Sequence, residues 1–214
     1  MLVVALISTK GGCGKSTLAE CLAVEAARLG RSVFLADLDP QQSTAEWWRR
    51  RGGPENPMML ASRGSMIRAL RDIREHRSER DVMVIDTPGS DMAVVSEAIH
   101  AADCVVVVVQ ASIKDLEAQG AARDLIERAG KADRTVYVIN RADRRSSLVK
   151  HAADLLRSRS AVEPLIVAER SDYVRADAAG KAGNEISAKA RAEISALWAA
   201  LEEVGDERRD EKPV

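Results

Sequence analysis

Cys104-Val105-Val106-Val107-Val108-Val109 is six apolar residues in succession, with no polar residue alternating among them. A strand with one wet face alternates polar and apolar side chains. An unbroken β-branched run needs cover on both faces, as in the middle of a parallel sheet sandwiched by helices. The rest of the chain fits that demand. Residues 2–7, 32–37, 58–61, 81–86, 103–109, 135–139 and 162–167 read as short apolar strands. Residues 15–29, 63–76, 91–101, 115–129, 146–157 and 187–203 read as helices, the first closed by Gly30 as a C-cap. The alternation predicts an α/β fold: a doubly wound, mostly parallel sheet flanked by helices, with right-handed crossovers. The 214 residues suffice for one such domain over 1–204, followed by a polar, frayed tail over 205–214. Gly52-Gly53-Pro54-Glu55-Asn56-Pro57 reads as a loop.

Charge and composition narrow the function classes. The formal net charge is −1, so any nucleic-acid contact needs a local patch. One Phe and two Tyr are too few for a base-stacking surface. Cys13, Cys21 and Cys104 form no CxxC pair and no metal spacing, which fits buried thiols in a reducing cytoplasm. No apolar run is long enough to span a membrane. The opening Met1-Leu2-Val3-Val4-Ala5-Leu6-Ile7 has no basic leader and runs straight into a Gly-rich segment, so it reads as a buried first strand.

Ligands of doubly wound sheets lie beyond the carboxyl ends of the strands. The first strand is followed by Ser8-Thr9-Lys10-Gly11-Gly12-Cys13-Gly14-Lys15-Ser16-Thr17. Its glycines let the backbone curl so that N–H groups converge on phosphate oxygens, and the next helix adds its positive end. Residues Gly11 to Thr17 form the cradle. Lys15 supplies a charge to the β- and γ-phosphates, and Ser16 places a hydroxyl on Mg²⁺. Thr9 stands where the general phosphate-loop pattern wants glycine.

Three carboxylates follow in order. The second strand ends in Asp37-Leu38-Asp39-Pro40-Gln41, and strand alternation sends Asp37 and Asp39 to one side. Beside a triphosphate they need Mg²⁺ or water between. Asp39 could also cap a helix that starts at Pro40, a role compatible with catalysis. The fourth strand ends in Ile85-Asp86-Thr87-Pro88-Gly89, where Asp86 looks like the Walker B acid that holds a metal-bound water. Gly89 lies where a backbone N–H could sense the γ-phosphate. The sixth strand ends in Asn140-Arg141, and an Asn there is either a base contact or a turn former.

Lys-Gly-Gly-x-Gly-Lys-Ser-Thr at 10–17, with the acids at 37, 39 and 86, resembles the deviant Walker A loop of the ParA/MinD family. The resemblance covers residues 2 to about 203 and looks like the short ParA type. It implies an ATP- and Mg²⁺-dependent ATPase. In that reading Lys10 reaches across a homodimer to the other subunit's phosphates. Asp37 helps hold the Mg²⁺ shell with Ser16 and Asp86, Asp39 positions the attacking water, and Asn140 reads adenine. Lys10, Lys15 and Asp39 thus carry catalysis. Residues 171–180 resemble the family segment flanking nucleotide and dimer interface, although Lys181 stands where proline is usual.

The job implied is partition of plasmid or chromosomal DNA. The ATP dimer binds DNA without sequence preference, nucleoid-associated in the cytoplasm, and a centromere-binding partner protein stimulates hydrolysis. Residues 141–191 carry eleven Lys or Arg against seven acids, an excess of 4, which suits weak salt-sensitive phosphate contacts or an ordinary solvated face. Positioning of a protein cargo, such as a chemoreceptor array or organelle, is the alternative. The acidic stretch from 202 onward argues against membrane anchoring. A nitrogenase-reductase-like role lacks paired cluster cysteines, and no motif suggests a metabolic ligase or kinase. Cys13 is either a reactive thiol or a small residue filling the turn. Trp47-Trp48-Arg49-Arg50-Arg51 is a candidate partner site, with one Trp expected on the core.

Overall fold

The structure is a computed structural model that describes residues 1–61, 80–89 and 91–210. The helix expected over 63–76 lies outside the described residues.

Seven strands form one sheet: β1 (Leu2–Ile7), β2 (Val33–Asp37), β3 (Met58–Ala61), β4 (Val82–Asp86), β5 (Cys104–Val109), β6 (Thr135–Ala142) and β7 (Leu165–Ala168). Their order is β3-β2-β4-β1-β5-β6-β7, and every neighbouring pair is parallel. β5 pairs with β1 and β6, so its continuous apolar run has the central place that its composition demands. Alternate residues of β1 feed two cores. Val3, Ala5 and Ile7 pack with α3 (Met92–Ala101), α5 (Gly120–Arg128) and α6 (Ser147–Arg157). Val4 and Leu6 pack on the other face with α1 (Lys15–Arg28), Trp47 of α2 (Ser43–Arg50) and α9 (Ala188–Asp210). Among the described residues this is the doubly wound, parallel α/β sheet that the sequence predicts.

The departures have local causes. β7 starts at Leu165 rather than 162 because Pro164 has no N–H to give to a ladder. β6 runs past Ile139 to Ala142, through a register shift at which Arg141 adopts φ 51°. The helix expected over 115–129 is two: α4 (Ile113–Glu117), capped by the Ser112 hydroxyl, and α5. Between them the Gln119 amide donates to Asp115 O at 2.8 Å and to Thr9 Oγ1 at 3.1 Å. α7 (Ser171–Ala178) and α8 (Gly183–Ile186) are helices not expected from the sequence, and α2 starts at Ser43 rather than at Pro40. α9 continues past 203 to Asp210, so the first part of the expected polar tail is helical.

The Trp47 and Trp48 side chains both serve packing. Trp47 is buried, with its Nε1 donating to Lys181 O at 3.1 Å and Arg51 over its ring at 5.5 Å. Trp48 is half-buried and donates to Pro57 O at 2.9 Å.

Candidate nucleotide-binding site

The loop between β1 and α1 lies at the carboxyl edge of the central strand, beside the ends of β4 and β5. Two of its glycines hold backbone that other residues resist: Gly12 has φ 76° and Gly14 φ 92°. At Gly14 a side chain would also run into the Asn140 amide, which donates to Cys13 O at 2.8 Å. Gly89 closes the other flank, where an added Cβ would come within 3.1 Å of Gly11 N. The loop is therefore clamped from β4 and from β6 at once.

Its two lysines have different surroundings. Lys15 is 6% exposed and donates to Ser8 Oγ at 2.8 Å, while Ser8 in turn donates to Lys10 O at 2.7 Å. Its ammonium sits inside the curl, where a phosphate would replace the hydroxyl as partner. Lys10 is 55% exposed and pairs with Asp115 Oδ1 at 2.7 Å. Cys13 is buried in the α1-side core, and Cys21 and Cys104 are buried too. Burial and the neighbouring Glu20 push the Cys21 thiol up to about 12, so it is inert. Cys13 fills the turn.

The carboxylates gather beneath the loop. Asp37, at the end of β2, accepts Asp39 N–H at 3.0 Å and Ala45 N–H at 2.9 Å, so it caps α2 from outside the helix. Asp39 accepts Gln41 N–H at 2.9 Å, and α2 starts only at Ser43 behind a left-handed Gln42. The helix from Pro40 capped by Asp39 is therefore not formed. Asp39 is half-buried, and its Oδ2 takes no hydrogen bond from the described residues. Asp86 is fully buried at the end of β4 and accepts the Thr44 hydroxyl at 2.8 Å. Burial lifts its carboxyl to about 6, against the stabilising hydroxyls of Ser16 and Thr44. Burial raises Asp37 as well, with the Ala45 and Asp39 N–H groups opposing. Glu20, one turn along α1 from Ser16, is held well above the carboxylate range by burial and by the charges of Asp177 and Asp86.

These groups suit a hydrated Mg²⁺. Asp86 Oδ1 is buried and accepts no hydrogen bond from the described residues, and Ser16 stands beside the same carboxylate. A metal-bound water is the donor that such an acceptor lacks. Among the described residues no three His, Cys, Asp or Glu converge as a metal cage. Mg²⁺ takes one or two carboxylates and completes its shell with phosphate oxygens and water.

A cleft of ≈ 360 Å³ opens beside the loop, lined by Gly14, Thr17, Asn140, Arg141, Arg170 and Tyr173 among others. Its place next to the phosphate cradle suits a base. Asn140 is 6% exposed and commits its NH₂ to the loop. Tyr173 packs on Gly183, its hydroxyl is buried without a hydrogen bond among the described residues, and burial raises it.

Residues 4–182 match the family described as the CobQ/CobB/MinD/ParA nucleotide binding domain. The chain belongs to that family. It is 36% identical to Protein ParA of Rhizobium radiobacter over 109 residues, 50% of this chain and 48% of that one, so it spans about half the length of that relative. It is 27% identical over 153 residues to the maintenance of carboxysome distribution protein A of Halothiobacillus neapolitanus, covering 68% of this chain and 69% of that one. The fold also matches MinD of Pyrococcus horikoshii complexed with Mg-ADP, at TM-score 0.73 and 17% identity over 100% of this chain and 99% of that one. At that identity the likeness speaks for the fold.

Within this ParA/MinD-type domain the structure brings Lys10, Gly11, Gly12, Cys13, Gly14, Lys15, Ser16, Thr17, Asp37, Asp39, Asp86 and Asn140 to one edge of the sheet. It adds Ser8, Thr44, Asp115 and Gln119, which touch the loop or its carboxylates, and Arg141 and Tyr173 in the cleft. Thr44 lies in a helix that its polar sequence conceals. Asp115 has no local signal that separates it from other acids. The expected basic patch is partly neutralised. Arg144 and Arg170 both pair with Glu193, Arg157 with Asp154 and Glu163, and Arg175 with Asp172.

Proposed function

We propose that this chain is a Mg²⁺-dependent ATPase that dimerises around ATP and serves DNA partition. The observation that carries the reading is the division of labour between its loop lysines: Lys15 is enclosed by the loop, while Lys10 stands half-exposed at the rim. In this reading one ammonium serves the chain's own nucleotide, and the other, at the rim, serves a second copy.

The chain's residues divide the chemistry as follows. The N–H groups of Gly11 to Thr17 and the α1 terminus hold the phosphate oxygens. Lys15 moves from Ser8 to the β- and γ-phosphates. The Ser16 hydroxyl, with Asp86 and Asp37 behind it, would hold Mg²⁺, which when bound neutralises charge across the phosphates. Asp39, whose Oδ2 carries no partner among the described residues, orients a water for in-line attack on the γ-phosphorus. Asn140 offers its carbonyl oxygen to the amino group of adenine, since its NH₂ is used by Cys13 O. Lys10 of a second copy adds charge only when two loaded chains meet, so hydrolysis and dimer release are coupled.

DNA contact in this reading falls to Arg145, Lys150, Arg159, Lys181 and Lys189, which make none of the ion pairs above. They support non-specific phosphate binding with a modest salt slope. The similarity to a carboxysome distribution protein favours a second reading, in which the same switch positions a protein cargo. Light scattering with ADP and with a non-hydrolysable ATP analogue, each with and without random-sequence duplex DNA, tests both. Dimer with the analogue alone and a further mass increase with DNA are expected for partition. A dimer indifferent to DNA points to protein cargo, and no dimer sinks both.

A further inference from the structure

We propose that Asp115 holds Lys10 within its own chain, and so sets how readily two ATP-loaded copies close on each other. The proposal rests on the dimer reading above and names the group that opposes it.

Asp115 is a buried carboxylate, 2% exposed, whose ion pair is with Lys10 at 2.7 Å. It also accepts Gln110 N–H at 3.2 Å, and its own backbone N–H donates to the Ser112 hydroxyl at 3.2 Å, so the carboxylate is fixed by its own turn. A second tie lies beside it: Gln119 donates to Thr9 Oγ1 at 3.1 Å, next to Lys10. Segment 110–119 therefore grips the two loop residues that precede the glycines.

That grip conflicts with a role across the dimer. A lysine that keeps its carboxylate delivers no net charge to a triphosphate, and the carboxylate itself repels the phosphates. Lys10 must leave Asp115 before it helps a neighbour. Leaving strands a buried carboxylate with one N–H for company, which is unfavourable. The element that can yield is α4, a five-residue helix whose Ile113 is 63% exposed. Gln119 Oε1, buried and without a hydrogen bond among the described residues, marks the same junction as incompletely bonded. Closing a symmetric dimer breaks two such pairs, so each contribution counts twice.

The test is the dimer dissociation constant of Asp115→Asn in a saturating non-hydrolysable ATP analogue. Asn keeps the shape and an oxygen to accept Gln110 N–H, and puts a neutral NH₂, which cannot accept from Lys10, in place of Oδ1. An ion pair with one half-exposed partner corresponds to about fivefold, and two to about twenty-five-fold tighter dimerisation. ADP affinity of the monomer should be unchanged, Asp115→Glu should restore the wild-type value, and Asp115→Asn should have no effect in a Lys10→Ala background. In the wild-type monomer, amine acylation of Lys10 should be slower than that of exposed Lys114 at low salt. Equal acylation rates overturn the proposal even if the variant fails to fold. Unchanged or weaker dimerisation of Asp115→Asn, with ADP binding intact and the wild type dimeric, overturns the proposal alone. Analogue bound without any dimer in wild type and variant fails the dimer reading and the proposal together.

Discussion

Replacing Asp86 by Asn should stabilise the nucleotide-free protein while weakening its hold on Mg-nucleotide. Asp86 is fully buried, and its carboxyl is lifted to about 6 by that burial. Against an unfolded value of about 3.9, ionising it in the fold costs about 3 kcal/mol. A raised carboxyl contributes no penalty below its unfolded value, where both states are protonated. The penalty grows as pH rises and is complete above about 6. Asn keeps an oxygen for the Thr44 hydroxyl and puts an NH₂ where Oδ1 has no partner among the described residues, at about 1 kcal/mol for the orphaned donor. The expected net gain is about 1–2 kcal/mol at about pH 7.5, or about 3–6 °C in melting midpoint for a domain of this size. At about pH 4 the gain should vanish or reverse. Urea unfolding at both pH values measures it, with the midpoint shift taken at constant slope. With Mg-nucleotide present the wild type should regain the advantage, because binding then adds to its stability. A nucleotide-free variant less stable than wild type at neutral pH would refute the argument, since Asp86 would then be a net structural contributor.

Mg-nucleotide affinity should fall as pH drops through about 6, where Asp86 takes up its proton, and Asp86→Asn should flatten that step in calorimetric titrations. Lys15→Ala should lose about a hundredfold or more in nucleotide affinity, read by equilibrium dialysis, because no other buried ammonium lies in the loop. Asp39→Ala should keep ATP binding, lower phosphate release by about a hundredfold and accumulate dimer; normal turnover would remove Asp39 from catalysis. Gly14→Ala should destabilise the fold by about 1–3 kcal/mol, measured by urea unfolding, and abolish nucleotide binding, from its positive φ and the displaced Asn140 amide.

The parts of this molecule that announce themselves in sequence are those fixed by short-range physics. β5 is legible because an unbroken valine run has one stable setting, and the loop at 10–17 because only glycine tolerates the backbone at Gly12 and Gly14. Asp37, Asp39 and Asp86 stand out because each follows or ends a strand at the edge where ligands of such sheets bind. What escaped depends on partners distant in the chain. α2 is capped from the end of β2 by Asp37, whereas Gln42, at the N-cap position itself, gives no side-chain bond, so the usual capping signal just before Ser43 is missing. Arg141 counts as a basic residue of a DNA patch in one dimension, yet in three it lines the cleft next to Gly14.

The paired arginines show the same dependence at the surface. An excess of 4 positive charges over 141–191 is a property of the sequence, but a phosphate backbone meets only charges that are not already paired. Glu193, just beyond that window, takes Arg144 and Arg170 together. If DNA binding is nonetheless observed, its dependence on salt should follow Arg145, Lys150, Arg159, Lys181 and Lys189. Changing Arg144 to Ala should then leave the salt slope unaltered while loosening the contact between β7 and α9, because Glu193 also accepts the Ala168 N–H at 3.2 Å. A slope that drops by about one unit in that variant would mean that Arg144 abandons Glu193 for phosphate, and the ion pair seen here would be a resting state of the surface rather than its working one.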